Sequence, residues 1–332
     1  MKMRTAWLSV AHFGVDFACA ALYFGFLSGT PNWWIVLLLY NACAFAAQMP
    51  IGLFADAWNR NLSVAAIGVL LVALAYPFAS VPIAAAVLAG LGNGAFHVGA
   101  GLEVMNDSGR KAGPLGVFVS PGAVGLYLGT AHALWLKEYP WIVLSCLAVC
   151  VVCIVLSARC GLFRPSDNAP LSIELPKGTL LPLIALVLVV VLRSALGFTN
   201  AFSAPNVPKM IGVLCVAAGK AAGGLIGDRV GMKTTSIVSL AACAVLLAIP
   251  SDFAHLAALF AFNMTMPLTL WGAARRLNRA KGFSFGLLTF ALFLGFLPRL
   301  MGIVSWGGVY WHVGAVLLSL GLLTYGLKDT GA

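Results

Sequence analysis

Long apolar stretches follow one another along the whole chain, broken only by short clusters of charged, Pro, Gly and Asn positions. A bilayer core about 30 Å thick is crossed by about 20 apolar residues in α-helix. On that measure the pattern predicts helices near 6–28, 33–54, 62–79, 82–104, 114–135, 140–160, 179–201, 207–227, 234–250, 253–273, 283–304 and 308–327. The apolar runs are continuous rather than alternating, which excludes a β-barrel. Helices satisfy their own backbone hydrogen bonds and are the remaining way to span a bilayer. The expected fold is an all-α polytopic membrane protein of twelve transmembrane helices, with little chain left over for anything outside the membrane.

One long polar segment interrupts this pattern: CGLFRPSDNAPLSIELPKG, from Cys160 to Gly178. It carries three prolines with Asp167 and Glu174, and it leaves six spans on either side. The expected organisation is a six-helix bundle over 1–165, a linker over 166–178 and a second six-helix bundle over 179–332. A repeat supports the division. GLFADAWNRN (Gly52 to Asn61) ends the second span and GLIGDRVGMK (Gly224 to Lys233) the eighth, and Gly52/Gly224 and Asp56/Asp228 share an offset of 172 residues. SGRKAGPLGVF, from Ser108, is echoed by LNRAKGFSFGLL, from Leu277. Parallel repeats of six spans place a pseudo-twofold axis along the membrane normal.

Composition adds confirmation and an orientation. The chain is 61% hydrophobic and 9% charged, with mean hydropathy +0.98, whereas a soluble domain carries about 25% charged residues. The net charge of +10 would suit a nucleic-acid binder, but its placement argues otherwise. With the N-terminus inside, Lys2, Arg4, Arg60, Arg110, Lys111, Arg159, Arg164, Lys177, Arg229, Lys233, Arg275, Arg276, Arg279, Lys281 and Lys328 fall on one side, 15 of the 20 Lys and Arg residues. Only Lys137 and Lys209 fall in the opposite loops. This is the positive-inside pattern. It predicts a cell (inner) membrane protein with both termini cytoplasmic and no nucleic-acid partner. The first apolar stretch is long and carries Asp16, so no separate cleavable signal is expected.

The loop pattern Gly-x-x-x-Asp-basic-x-Gly-x-basic resembles the signature loop of the major facilitator superfamily. The second copy matches through Gly224, Asp228, Arg229, Gly231 and Lys233. In the first, Ala57 replaces the basic residue and Asn59 the second glycine, while Arg60 survives. A glycine there permits close helix approach, and the Asp can accept bonds from a neighbouring helix end. The resemblance therefore implies a gate of Asp56, Arg60, Asp228, Arg229 and Lys233 that must open during transport. Gly90 to Gly129 is similar, more narrowly, to the fosmidomycin-resistance group of that superfamily, through Gly92, Gly94, Phe96, His97, Ser108, Gly109, Arg110, Gly113 and Gly122. It departs where Val98 and Gly99 follow the Phe-His pair. The resemblance implies secondary transport by alternating access and does not transfer a substrate.

Polar residues inside spans mark the candidate chemistry, because a cation at mid-membrane costs about 2.5–3.5 kcal/mol and normally faces a bundle interior. Arg193, Lys220 and Arg299 are such cations, all in the second half. With Asn41 and Asn200 they are the expected substrate-binding residues, preferring an anionic or zwitterionic solute that arginine grips bidentately. Their alternative role is to pair with helix carbonyls or with Asp16. His12 and Asp16 are four residues apart, hence on one helix face. Asp16, with His97 and His12, is the candidate for proton coupling, since a buried carboxylate needs a partner or a proton. Asn93 and Asn263 serve equally well as interhelix glue.

Cys146, Cys150 and Cys153 share a helix face, which reads as a packed stripe, and no zinc spacing exists. The sequence has no phosphate-binding Gly-rich loop with Lys-Ser or Lys-Thr and no HExxH, so neither an ATP-driven pump nor an enzyme is expected, and no cofactor is called for. The expected function is secondary active transport of a small organic solute, with proton-coupled efflux by an antiporter as the favoured mode, and the protein, a monomer, meeting only that solute, lipid and protons. The competing functions are a lipid flippase, sensor or assembly factor on the same fold, and a soft-metal transporter using Met264, Met266 and His255.

Overall fold

A computed structural model describes residues 3–159, 167–197, 199–302 and 307–328, and in them every regular element is helical. Lys2, Cys160, Arg164 and the expected 165/166 boundary lie outside the described residues. Among the described residues ten helices are long and apolar enough to cross a membrane, and two shorter apolar helices complete the twelve anticipated from the hydrophobic pattern. In chain order they are α1 (Met3–Leu27), α2 (Trp33–Trp58), α3 (Asn61–Ala75), α4 (Pro82–Ser108), α5 (Gly113–Ala131), α6 (Pro140–Arg159), α7 (Leu180–Gly197), α8 (Lys209–Val230), α9 (Met232–Leu247), α10 (Asp252–Arg276), α11 (Lys281–Leu300) and α12 (Val309–Gly326). Multi-pass membrane insertion follows from this set.

The helices pack as two bundles of six. In the first, α3 lies along α4, and α1 packs on α5 and α6; in the second, α7 packs on α11 and α12, and α8 on α10. The bundles meet along α2 with α11 and α5 with α8. Exchanging the halves turns one of these contacts into the other, as the pseudo-twofold requires.

Spans break close to prolines, which lack a backbone donor. In α5 helix is lost at Ser120, before Pro121, which has no N–H for the Val117 carbonyl. Ser120 N–H (3.4 Å) and the Ser9 hydroxyl of α1 (3.4 Å) take that carbonyl instead. In α10 the helix is interrupted at Met264, three residues before Pro267.

The basic helix ends cluster on one face. Glu103, wholly buried on α4, pairs with Arg4 of α1 at 2.9 Å and accepts from Asn61 at 3.1 Å; Asp107 lies 3.5 Å from Arg4. These two acids thus reach the first helix, because α1 and α4 are adjacent at this end. The thiol stripe behaves as packing: Cys150 and Cys153 are buried, and the Cys150 thiol donates to the Ala11 carbonyl at 3.5 Å.

Candidate functional site

Asp56 and Asp228 occupy equivalent places at the bundle interface. Asp56, at the end of α2, accepts the backbone N–H groups of Gly282 and Phe283 (both 2.9 Å), which open α11. Asp228, at the end of α8, accepts those of Ala112 (2.7 Å) and Gly113 (2.9 Å), which open α5. Each carboxylate caps the positive end of a helix in the other bundle. The signature glycines make this reach possible. A Cβ on Gly52 would overlap the Gly282 carbonyl, and one on Gly224 would meet Ala112 O at 2.5 Å. Trp271 Nε1 donates to Arg110 O at 2.7 Å, and Lys281 Nζ to Asn106 Oδ1 at 3.0 Å, which adds further links at this face. Arg60, Arg229 and Lys233 are exposed, and among the described residues they make no side-chain hydrogen bond or ion pair.

Deeper in the first bundle, His12 and Asp16 of α1 meet His97 and Asn93 of α4. His12 Nε2 lies 3.2 Å from Asp16 Oδ2, His97 Nε2 lies 3.6 Å from Asp16 Oδ1, and the two Nε2 atoms are 2.9 Å apart. Asn93 donates to Asp16 Oδ1 at 3.2 Å and to Cys19 Sγ at 3.6 Å. The other nitrogens are committed to backbone acceptors: His12 Nδ1 to Phe118 O at 2.7 Å and His97 Nδ1 to Asn93 O at 2.9 Å. A carbonyl only accepts, so both Nδ1 atoms carry protons. In neutral rings both Nε2 atoms would then be bare lone pairs facing each other beside a carboxylate. A proton or other cation between the rings would relieve that arrangement.

A proton and a metal ion make different demands on the spacing of these atoms. The three ligand atoms lie within 4.8 Å of one another, as a three-ligand metal site would require. Two nitrogens on one tetrahedral zinc, at about 2.0–2.1 Å each, would however stand about 3.3 Å apart. The observed 2.9 Å is the length of an N–H···N hydrogen bond. Gly122, just past the break in α5, faces this cluster, and a Cβ there would overlap both Asp16 Oδ2 and His12 Nε2.

The second bundle supplies the cations. Lys220 of α8 donates to Val119 O at 3.3 Å, next to the carbonyl that holds His12. It lies within electrostatic reach of Asp16 on one side and Arg193 on the other. The Arg193 guanidinium stacks 5.3 Å over the Phe262 ring, its Nη2 donates to Thr265 Oγ1, and its Nη1 is buried without a partner. Arg193 is 13 residues into α7, about 20 Å from the basic end at 1.5 Å per residue. Arg299, 18 residues into α11 by the same rise, is about 27 Å from it, in the last turn and exposed. Arg299 therefore does not join the other two. Asn41 donates within its own helix to Leu37 O (2.8 Å), and Asn200 is exposed beyond the end of α7. His255 bonds Ser203 O at 2.8 Å near the start of α10.

Sequence reasoning singled out His12, Asp16, His97, Lys220 and Arg193. It missed what joins them: Phe118, Val119 and Gly122 around Ser120-Pro121, and the Phe262–Thr265 partners of Arg193. A proline inside an apolar span was the available signal for the first.

No family model matches the chain, and no curated protein matches it in sequence. Solved structures do match over nearly the whole length. The major facilitator superfamily transporter FucP in its outward conformation has TM-score 0.71 at 12% identity, covering 99% of this chain and 98% of that one. The human organic anion transporter MFSD10 has TM-score 0.69 at 14% identity (96% and 99%), and a bacterial homologue of the iron transporter ferroportin, outward-facing, 0.66 at 14% (97% and 98%). The chain therefore has the major facilitator fold. At such identities the likeness is one of fold, and the narrower resemblance to the fosmidomycin-resistance group rests on sequence alone.

Proposed function

We propose that this protein is a proton-coupled secondary transporter of a small organic anion, working by alternating access between its two bundles. The observation that supports this reading is the His12–Asp16–His97 cluster, whose two facing Nε2 atoms are spaced to share a proton, set beside Lys220 and Arg193 from the opposite bundle. One proton shared by the two imidazoles neutralises Asp16. Lys220 and Arg193 then remain as two partly buried cations that, among the described residues, pair with no carboxylate, and a carboxylate, phosphate or phosphonate on the solute would complete them. Arg193 Nη1 is the free donor for that group. The fold supports the reading in outline: it also serves an E. coli fucose:proton symporter and an organic anion transporter.

The cycle follows from the contacts. Asp56 and Asp228 close the basic face, which the charge asymmetry assigns to the cytoplasm of the cell (inner) membrane. Lys220 is docked on Val119, two residues from Pro121, so solute on Lys220 and Arg193 and a proton on the cluster act on one seam. When an anion draws Lys220 off Val119, the seam between α5 and α8 loosens. Export against inward proton flow is the direction we propose, with the monomer as the working unit.

The test is uptake into proteoliposomes under an imposed pH gradient with a panel of organic anions. Wild type should accumulate one class of anion in response to the gradient. Asp16→Asn should lose that response while retaining exchange of anion for anion. Unchanged pH dependence in both Asp16→Asn and His97→Gln would overturn proton coupling, and transport of a simple cation alone would overturn the anion assignment.

A further inference from the structure

Between the linker and the turn joining α10 to α11 lies a cavity of about 420 Å³, lined by Ser172, Glu174, Thr179, Arg275, Arg276 and Arg279 among others. A second cavity of about 260 Å³ shares Arg275 and continues to Lys281 and to Ser108 of the first bundle. Together they form a groove under the seam between the halves. It is rich in cations and holds a single acid, Glu174.

The guanidiniums differ in how much of their donor capacity is engaged. Arg276 is committed to the last turn of α12, donating to Gly326 O at 2.9 and 3.1 Å. Arg279 gives only Nε, to Pro170 O at 3.0 Å, and is otherwise exposed. Arg275 stacks 5.9 Å over Trp271, and its Nε is buried with no hydrogen-bond partner. Among the described residues no ion pair joins Glu174 to any of them. A buried guanidinium N–H without an acceptor is costly, and two adjacent forks match a tetrahedral oxyanion. The Ser172 hydroxyl accepts the Glu174 N–H at 3.4 Å and still has its own hydrogen to donate.

We propose that this groove binds a phosphate-bearing anion, held by Arg275, Arg279 and Ser172, which fastens the linker against the closed basic face. The linker is already threaded through the gate. Asn168 Nδ2 donates to Ala55 O at 2.9 Å and to Asp56 O at 3.3 Å, beside the Asp56 cap, and Ser172 N–H donates to Arg279 O at 3.3 Å. An anion bridging Arg275 and Arg279 to Ser172 adds a tie between the same segments. Two sources carry this chemistry, a soluble phosphate compound and an anionic lipid headgroup. Leu180 and Leu181, just beyond Thr179, are 54% and 64% exposed, which puts the groove at the depth of lipid headgroups.

The experiment uses the full-length purified protein and reads thermal stability and protease protection of the linker, neither of which needs transport. Inorganic phosphate in detergent and phosphatidylglycerol against phosphatidylcholine vesicles are the two probes. Wild type should gain several degrees in Tm and slower linker cleavage with at least one probe. A response to phosphatidylglycerol alone assigns the headgroup, and one to inorganic phosphate assigns the soluble anion. Arg275→Gln with Arg279→Gln should weaken the apparent affinity tenfold or more. Lys111→Gln with Arg159→Gln, which removes as much charge from the same face, should respond as wild type. Should the Gln pair misfold, Ser172→Ala in a wild-type background should still weaken binding severalfold. Indifference of wild type to both probes, or equal loss in the two charge-matched variants, overturns the site. Failure of proton-driven uptake would leave these binding readouts untouched.

Discussion

Replacing Asp56 by Asn removes a charge from a helix cap without changing its size, which makes it a measurable test of the gate. Asp56 is 5% exposed and accepts two backbone N–H groups of α11 at 2.9 Å. Asparagine offers one oxygen; its amide would face the second N–H donor to donor. Hydrogen bonds to charged groups are worth about 1.5–3 kcal/mol each, so losing one weakens closure of the basic face by that amount. With 1.4 kcal/mol per factor of ten, the closed-to-open ratio should fall about 10- to 140-fold. Solute contacts are untouched, so solute affinity of the open-outward form should change little. Electron–electron distance measurements between labels at Lys111→Cys, just before α5, and Lys233→Cys, at the start of α9, in a background with the native cysteines replaced, read the separation of the two bundles at the basic face. A new population at longer distance is expected. The same distribution in wild type and Asp56→Asn, or a large loss of affinity with an unchanged distribution, would refute the reasoning.

Gly122→Ala should leave the fold intact and uncouple transport, because alanine favours helix by about 1 kcal/mol while its methyl displaces Asp16 from His12; normal proton-driven uptake by this variant would contradict the cluster geometry. Arg193→Lys keeps charge but loses the fork that frees Nη1, so anion transport should drop by about tenfold or more, comparable to losing one charge-assisted bond, as measured by the concentration for half-maximal uptake. Membrane-impermeant reagent applied to intact cells should label Lys137→Cys and spare Lys111→Cys; labelling of both from one side would break the topology. Asn168→Ala should speed cleavage within the linker, since five side-chain hydrogen bonds that alanine lacks hold that segment to α2, α3 and α4, and an unchanged rate would show that the linker is held elsewhere.

The twelve spans were legible because in lipid the length and continuity of an apolar run already settle what the backbone does. Asp56 and Asp228 were legible as helix-end acceptors for a related reason: the repeated glycine and aspartate are local in sequence, and their chemistry leaves few partners. Arg299 was grouped with Arg193 and Lys220 as an intramembrane cation, but α11 ends at Leu300 and leaves it in an exposed last turn. Glu103 and its partner Arg4 lie 99 positions apart in sequence and 2.9 Å apart in space. Helix adjacency is a property of packing, which spacing along one helix does not report.

Taken by itself, the chain determined which segments enter the membrane, how many there are, which face collects the cations and which residue types stand buried in apolar surroundings. All of these depend on one-dimensional quantities: hydrophobicity summed over a helix length, charge counted by loop, and identity at a position. Only the tertiary structure decided that His12, Asp16 and His97 form one cluster, that carbonyls of Phe118 and Asn93 fix both imidazole tautomers, and that Lys220 reaches across from the other bundle. Those facts depend on how α1, α4, α5 and α8 rotate and approach, set by small residues and a proline break spread over more than a hundred positions. A hydrogen bond constrains atoms to about 3 Å and a definite angle, and no pattern along a single helix carries that precision.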